Sequence, residues 1–177
     1  MKRWILPAAL ALILLLVVLV RPFTAAPVPE PRPATEEVTE AMRALGYTAV
    51  PLRKNAMNEY EVEAFLNGDK KIMMQINFQG TSTIFNTQEL DKLGVTYEKT
   101  GRDFEVNGDS DDLYTVMTDS INIGDGKIGS EELFCIKFKE FDVFKSTRAT
   151  AILGREFLLK HHAVLDFANQ VLYIKPA

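Results

Sequence analysis

Between residues 60 and 78 the chain alternates with a period of two. Tyr60, Val62, Ala64 and Leu66 face one way, with Glu61, Glu63 and Phe65 between them, and Ile72, Met74, Ile76 and Phe78 repeat the pattern after Asn67-Gly68. Such alternation marks half-buried strands, and Asn-Gly between two of them marks a tight hairpin turn. A polar loop of small residues follows, from Gln79 to Thr83, and then a short helix that Thr87 can cap and Gly94 can end. Further strands are predicted over residues 95–99, 103–106, 113–123, 132–138 and 141–144, joined through Asn107-Gly108 and the Gly124 to Gly126 turn. A helix is predicted over 152–161, then strands over 163–167 and 171–175. Many short strands with one or two small helices predict a mainly β fold, a closed β-barrel rather than a parallel α/β sheet.

The N-terminus obeys a different pattern. Residues 4–20 are 17 uncharged, overwhelmingly apolar positions behind Lys2 and Arg3. As a helix they extend roughly 25 Å, just short of a hydrocarbon core. The run reads as an uncleaved signal anchor, or as a signal peptide cut after Ala26, and the basic flank keeps the amino terminus inside while the domain crosses. Five of the eight prolines fall between Pro22 and Pro33, which makes a semi-rigid stem. A short helix follows, with Thr35 as cap, Val38, Met42 and Leu45 as its stripe, and Gly46 as its end. The expected organisation is thus residues 1–26 as membrane segment or signal, 27–46 as stem and helix, and 47–177 as the folded domain.

Charge and cysteine narrow the chemistry. The chain carries 20 basic and 24 acidic residues; residues 1–26 hold three of the former and none of the latter, leaving 17 against 24 and a net charge of −7. No basic cluster invites nucleic acid or an anionic membrane surface. Cys135 is the only cysteine, so neither an intrachain disulfide nor a cysteine-based metal site is expected. No phosphate-binding glycine loop, nucleophile elbow or His/Cys metal spacing appears, so no cofactor and no metal are expected. His161-His162 end a helix, where their side chains diverge and a cationic group suits the carbonyl-rich end. Asp109, Asp111 and Asp112 lack the glycine and the bidentate Glu of a calcium loop and read as a solvated turn.

Two stretches carry a resemblance. EVEAFLNGDKKIMMQINFQGTSTIFNTQELDKLGV, residues 61–95, and AILGREFLLKHHAVLDFANQVLYIK, residues 151–175, together resemble the opening and closing units of the retropepsin-like aspartic peptidase family. The opening unit is two hairpinned strands, the catalytic turn and a short helix ending in Leu-Gly. In the closing unit an apolar-apolar-Gly segment threads beside that turn before a helix and a final hairpin. DSINIGD, residues 119–125, resembles more loosely the flap and central strands.

The resemblance implies a homodimer, with one catalytic turn from each copy, and a groove for a peptide or protein ligand. It breaks at the chemistry. Aligned on Gly80 without a gap, the family's Asp-Thr-Gly-Ala-Ser becomes Phe78-Gln79-Gly80-Thr81-Ser82, so Phe78 holds the aspartate position; Asn77 enters it only through a one-residue bulge. Two carboxylates sharing a proton activate water and protonate the scissile carbonyl, and neither Phe nor Asn supplies that base. On this alignment Phe78 extends the apolar face into the core, Gly80 is either a positive-φ turn residue or an ordinary loop glycine, and Asp166 has a structural role in the last hairpin. An acid introduced at Asn77 restores nothing. The implied function is an exported, membrane-tethered, inactive homologue that binds or assembles. The alternatives are an active endopeptidase with a non-standard site and a purely structural envelope domain.

Overall fold

The computed structural model describes residues 36–176, and the expected membrane segment and most of the stem lie outside that range. Among the described residues no helix is long and apolar enough to cross a membrane. Helix α1 (Glu36–Ala44) leads into β1 (Thr48–Pro51) and β2 (Arg53–Lys54); the hairpin of β3 (Tyr60–Leu66) and β4 (Lys70–Ile76) follows, then β5 (Ile84–Asn86) and α2 (Thr87–Lys92). The middle of the chain is β6 (Glu98–Val106), β7 (Asp109–Thr118), β8 (Ile121–Ile123), β9 (Gly126–Ile128) and β10 (Glu131–Ile136). It ends with β11 (Ala151–Leu153), α3 (Arg155–Lys160), β12 (Val164–Asp166) and β13 (Val171–Ile174).

The period-two pattern is realised where it was strongest. Val62, Ala64 and Leu66 are fully buried, as are Ile72 and Met74, and β3 pairs β4 from Leu66 opposite Lys70 to Glu61 opposite Gln75. Asn67 (φ 51°) and Gly68 (φ 93°) both sit in the left-handed region, the backbone of the hairpin turn whose twist matches the flanking strands. Asn107 (φ 52°) and Gly108 (φ 91°) do the same between β6 and β7.

Two sheets result. A small one runs β1-β13-β12; the large one runs β6-β7-β10-β5-β11-β4-β3-β8-β9, with β2 added against β3. The closed barrel is therefore corrected: among the described residues β6 and β9 are the ends of an open path. Two other expectations change. The strand expected over 141–144 is replaced by a 3-10 turn at 142–144, after another at 138–140, and residues 152 and 153, expected to start a helix, belong to β11. An isolated run of three apolar residues fits a buried strand as well as a helix, and here two neighbouring strands decide it. β11 lies parallel to β4 (Ile152 opposite Gln75) and antiparallel to β5 (Ile152 opposite Ile84).

β11 also divides the core. Ala151 and Leu153 join the main cluster with Val62, Met74, Phe85 and Leu172, whereas Ile152 and Ile84 join a second with Leu113, Ile136, Phe138 and Phe141. Each fully buried aliphatic or aromatic side chain contributes about 1.5–3 kcal/mol, so both clusters hold the strands in register. The second cluster underlies the site.

Candidate functional site

The loop after β4 is fixed by the closing stretch, through residues 153–156. The Asn77 N–H donates to the Leu153 carbonyl (3.1 Å), extending the β4–β11 ladder by one residue. The N–H groups of Arg155 and Glu156, at the start of α3, donate to the carbonyls of Gly80 and Thr81 (both 2.9 Å). Gly154 N–H donates to the buried Thr83 Oγ1 at 3.1 Å. The approach leaves no room for a side chain: a Cβ on Gly154 would lie 2.3 Å from the Ser82 carbonyl oxygen and 2.7 Å from that of Thr81.

Asn77 shapes the loop itself. Its Oδ1 accepts from the N–H of Gln79 (2.9 Å) and of Gly80 (3.2 Å), an Asx turn that ends the strand. The alternation stops there, and Phe78 does not continue the apolar face. It is 44% exposed and meets the ring of Phe167, itself 46% exposed, edge-on at 5.9 Å. This corrects the core placement of Phe78. Gly80 is not in the left-handed region, so of its two readings the ordinary loop glycine holds, and the Asn77 side chain supplies the turn. Asn86, not Thr87, caps α2 through its Oδ1 (3.2 Å from Gln88 N); Thr87 is the first helical residue and is buried.

Above the loop lies a cleft of about 660 Å³. Asn77, Gln79, Gly80, Thr81 and Ser82 form one edge, and Gln75, Ile152 and Ile84 form the floor. The tip of the β6–β7 hairpin (Phe104, Val106, Asn107) and residues 143–147 (Val143, Phe144, Ser146, Thr147) form the walls. The walls are tied together: Asp142 N–H donates to Asp109 Oδ2 (2.8 Å), and Phe104 meets Phe141 edge-on at 5.3 Å. Among the described residues no lysine, arginine or histidine lines the cleft, and the one carboxylate, Glu59, accepts from Asn55 Nδ2 at 3.0 Å. Phe78 is outside the lining.

The remaining candidates serve structure. Asp166 closes the β12–β13 turn, accepting from Asn169 N (3.0 Å) and Nδ2 (2.6 Å). His161 caps the C-terminal end of α3, as expected, but its side chain is buried (1% exposed): the ring lies against Phe157 at 4.5 Å and faces Glu131 Oε1 through Nε2 at 3.3 Å. Asp112 pairs with Lys99 (2.7 Å), which holds its carboxyl below the usual range. The DSINIGD segment contributes nothing to the cleft, since Gly124 and Gly126 lie against Val50 and Thr48 on β1. Among the described residues no three His, Cys, Asp or Glu side chains gather closely enough to hold a metal ion.

Sequence reasoning missed Gln75, Thr147 and the wall residues Phe104 and Phe144. Gln75 left a signal: it is a polar residue, 8% exposed, in a strand whose neighbours Met74 and Ile76 are buried. Thr147 left none, because only the fold brings it to Gln75, whose Oε1 accepts its hydroxyl proton.

No protein-family model and no curated protein matches the chain. Among solved structures it is similar to a retropepsin-like aspartic protease from Rickettsia conorii, with 16% identity and a TM-score of 0.51 over 73% of this chain and 90% of that one. A retroviral protease-like domain of Ddi1 from Leishmania major aligns over 66% of this chain and 87% of that one, with 16% identity and a TM-score of 0.47. The Rickettsia likeness shows the fold: this is a mainly β domain of retropepsin-like architecture.

Proposed function

We propose that the domain is a catalytically silent retropepsin-like module that binds a peptide or protein segment in its cleft. The observation that carries this reading is Asn77. Its side chain folds over the loop at the cleft edge while Phe78 turns away. In a peptidase of this fold an acid belongs at that corner, and Asn77 is the residue that fits the position. A carboxamide neither accepts a proton from water at useful pH nor donates one to a carbonyl as an acid. Binding survives such a change; hydrolysis does not. The proposed module is a homodimer, tethered through residues 4–20 on the non-cytoplasmic side of a membrane, and a tag after Ala177 that external protease cannot reach in intact spheroplasts would refute that placement.

A second reading rests on Glu59, the one carboxylate lining the cleft among the described residues. If it acts as the missing acid, the chain is an endopeptidase with a non-standard site. One assay separates the two. The purified chain is incubated with unfolded polypeptide between pH 4 and pH 7; the silent module leaves it intact, whereas cleavage abolished by Glu59→Gln establishes the second reading.

A further inference from the structure

Glu59 stands immediately before β3 and lines the cleft. Residues 55–59 clamp it in place. Asn55 Oδ1 accepts from the N–H of Glu59 (3.0 Å) and of Met57 (2.9 Å), and the Asn55 N–H donates to the Glu59 carbonyl (2.9 Å). Asn55 Nδ2 then donates to Glu59 Oε2 and to Glu61 Oε1, each at 3.0 Å. One asparagine thus holds both the main chain and the carboxylate of Glu59 before any ligand arrives. The clamp is neutral. Glu63, on the same face of β3 as Glu61, is paired with Lys71 (2.8 Å) and Arg53 (3.6 Å), whereas Glu59 forms no ion pair among the described residues. An amide fills part of a carboxylate's hydrogen-bonding capacity and offsets none of its charge.

We infer that the cleft selects a segment carrying a positively charged side chain, lysine or arginine, and that Glu59 is the residue that selects it. This carboxylate is fixed, half-buried and unpaired in charge, so a cation that arrives with the ligand gains a charge-assisted hydrogen bond there. An anionic ligand group would meet Glu59 with no lysine, arginine or histidine lining the cleft among the described residues to offset it. The rest of the lining suits a side chain and not a bare ion. Phe104, Val106, Val143 and Phe144 give apolar walls, along which a methylene stem is buried while its charged head stays at the polar edge. Among the described residues no three His, Cys, Asp or Glu side chains gather there for a metal. The inference rests on the peptide-binding reading and adds the charge of the ligand to it, with Glu59 as specificity-determining residue.

The test uses the full chain in mild detergent and coumarin-labelled, C-amidated hexapeptides of alanine, leucine and phenylalanine, read by fluorescence anisotropy. They differ at one central position, which holds lysine, Nε-acetyl-lysine or glutamate. The wild type should bind the lysine peptide about tenfold more tightly than the acetyl-lysine peptide, in line with a hydrogen bond between charged groups, and the glutamate peptide most weakly. Glu59→Gln keeps an oxygen for Asn55 and removes the charge, so it should bind the lysine and acetyl-lysine peptides alike. Asp69→Asn removes the same charge from the exposed β3–β4 turn and should leave the preference intact, which separates Glu59 from the general pull of an acidic domain. Ser146→Trp, on the exposed wall of the cleft, should block every peptide. A wild type without preference, a preference that survives in Glu59→Gln, or one lost equally in Asp69→Asn overturns the charge selection. With Ser146→Trp still blocking, each of these leaves the peptide-binding reading standing. No binding of any peptide by the wild type, or binding that Ser146→Trp leaves unchanged, overturns the peptide-binding reading and the charge selection together.

Discussion

Gly154 and Ser82 touch backbone to backbone: a Cβ on Gly154 would stand 2.3 Å from the Ser82 carbonyl oxygen, a distance no side chain tolerates. The contact joins residues 72 positions apart and seats the closing unit of the fold against the loop that carries Asn77. Gly154→Ala should destabilise the domain by about 3 kcal/mol, the upper end for overpacking, because the obstructing atoms are main chain. Urea unfolding measures it; a loss below about 0.5 kcal/mol would mean the loop is free to move away.

Phe78 gives the opposite result. A buried phenylalanine costs about 3–5 kcal/mol when cut to alanine. Phe85, fully buried, should behave so, whereas Phe78, 44% exposed and edge-on to Phe167, should cost less than about 1 kcal/mol. Unfolding at a concentration where the chain is monomeric compares the two directly, and similar losses would restore Phe78 to the core.

Cys135 should make the domain sensitive to alkali. Burial pushes its thiol up to about 12 from an ordinary value of 9.0. Above pH 9 the unfolded chain loses this proton and the folded chain keeps it, so stability is whole below pH 9 and falls as pH rises towards 12. Relative to Cys135→Ala, the wild type should lose stability over that window and not below it. A constant difference between the two proteins from pH 7 to pH 11 would contradict the sign. Iodoacetamide should also leave the native thiol unmodified at pH 8 and alkylate it in urea.

Residues 34–177 should sediment as a dimer at micromolar concentration, since one chain holds one copy of the loop that two-lobed peptidases carry twice. A monomer throughout that range would remove the second copy from the proposal.

The strands with long alternation were legible from the residues, because a one-residue slip of β3 or β4 would turn Val62 and Met74 out of the core. So were both Asn-Gly turns, whose positive φ values only a few residue types accept. The loop was not. Extending the alternation past Ile76 sent Phe78 inwards, yet the Asn77 side chain competes with the ladder for Gln79 and Gly80 N–H, and the strand ends at Ile76. Aligning on Gly80 gave Phe78 the aspartate position, which the proposed function gives to Asn77 instead. The pairing of Gln75 with Thr147, and of Asp109 with Asp142, spans 72 and 33 residues and has no local trace. The cleft is made of such pairings.

The most direct test compares one acid at two adjacent positions. Wild type, Asn77→Asp and Phe78→Asp are each incubated with unfolded polypeptide from pH 4 to pH 7, with and without an aspartic-protease transition-state mimic. Restoring a general acid–base pair contributes roughly 10²–10⁴-fold for each role it fills. The account predicts no cleavage by the wild type, mimic-sensitive cleavage by Asn77→Asp, and none by Phe78→Asp. Cleavage by the wild type, or activity in Phe78→Asp with a folded, dimeric Asn77→Asp remaining silent, would contradict it.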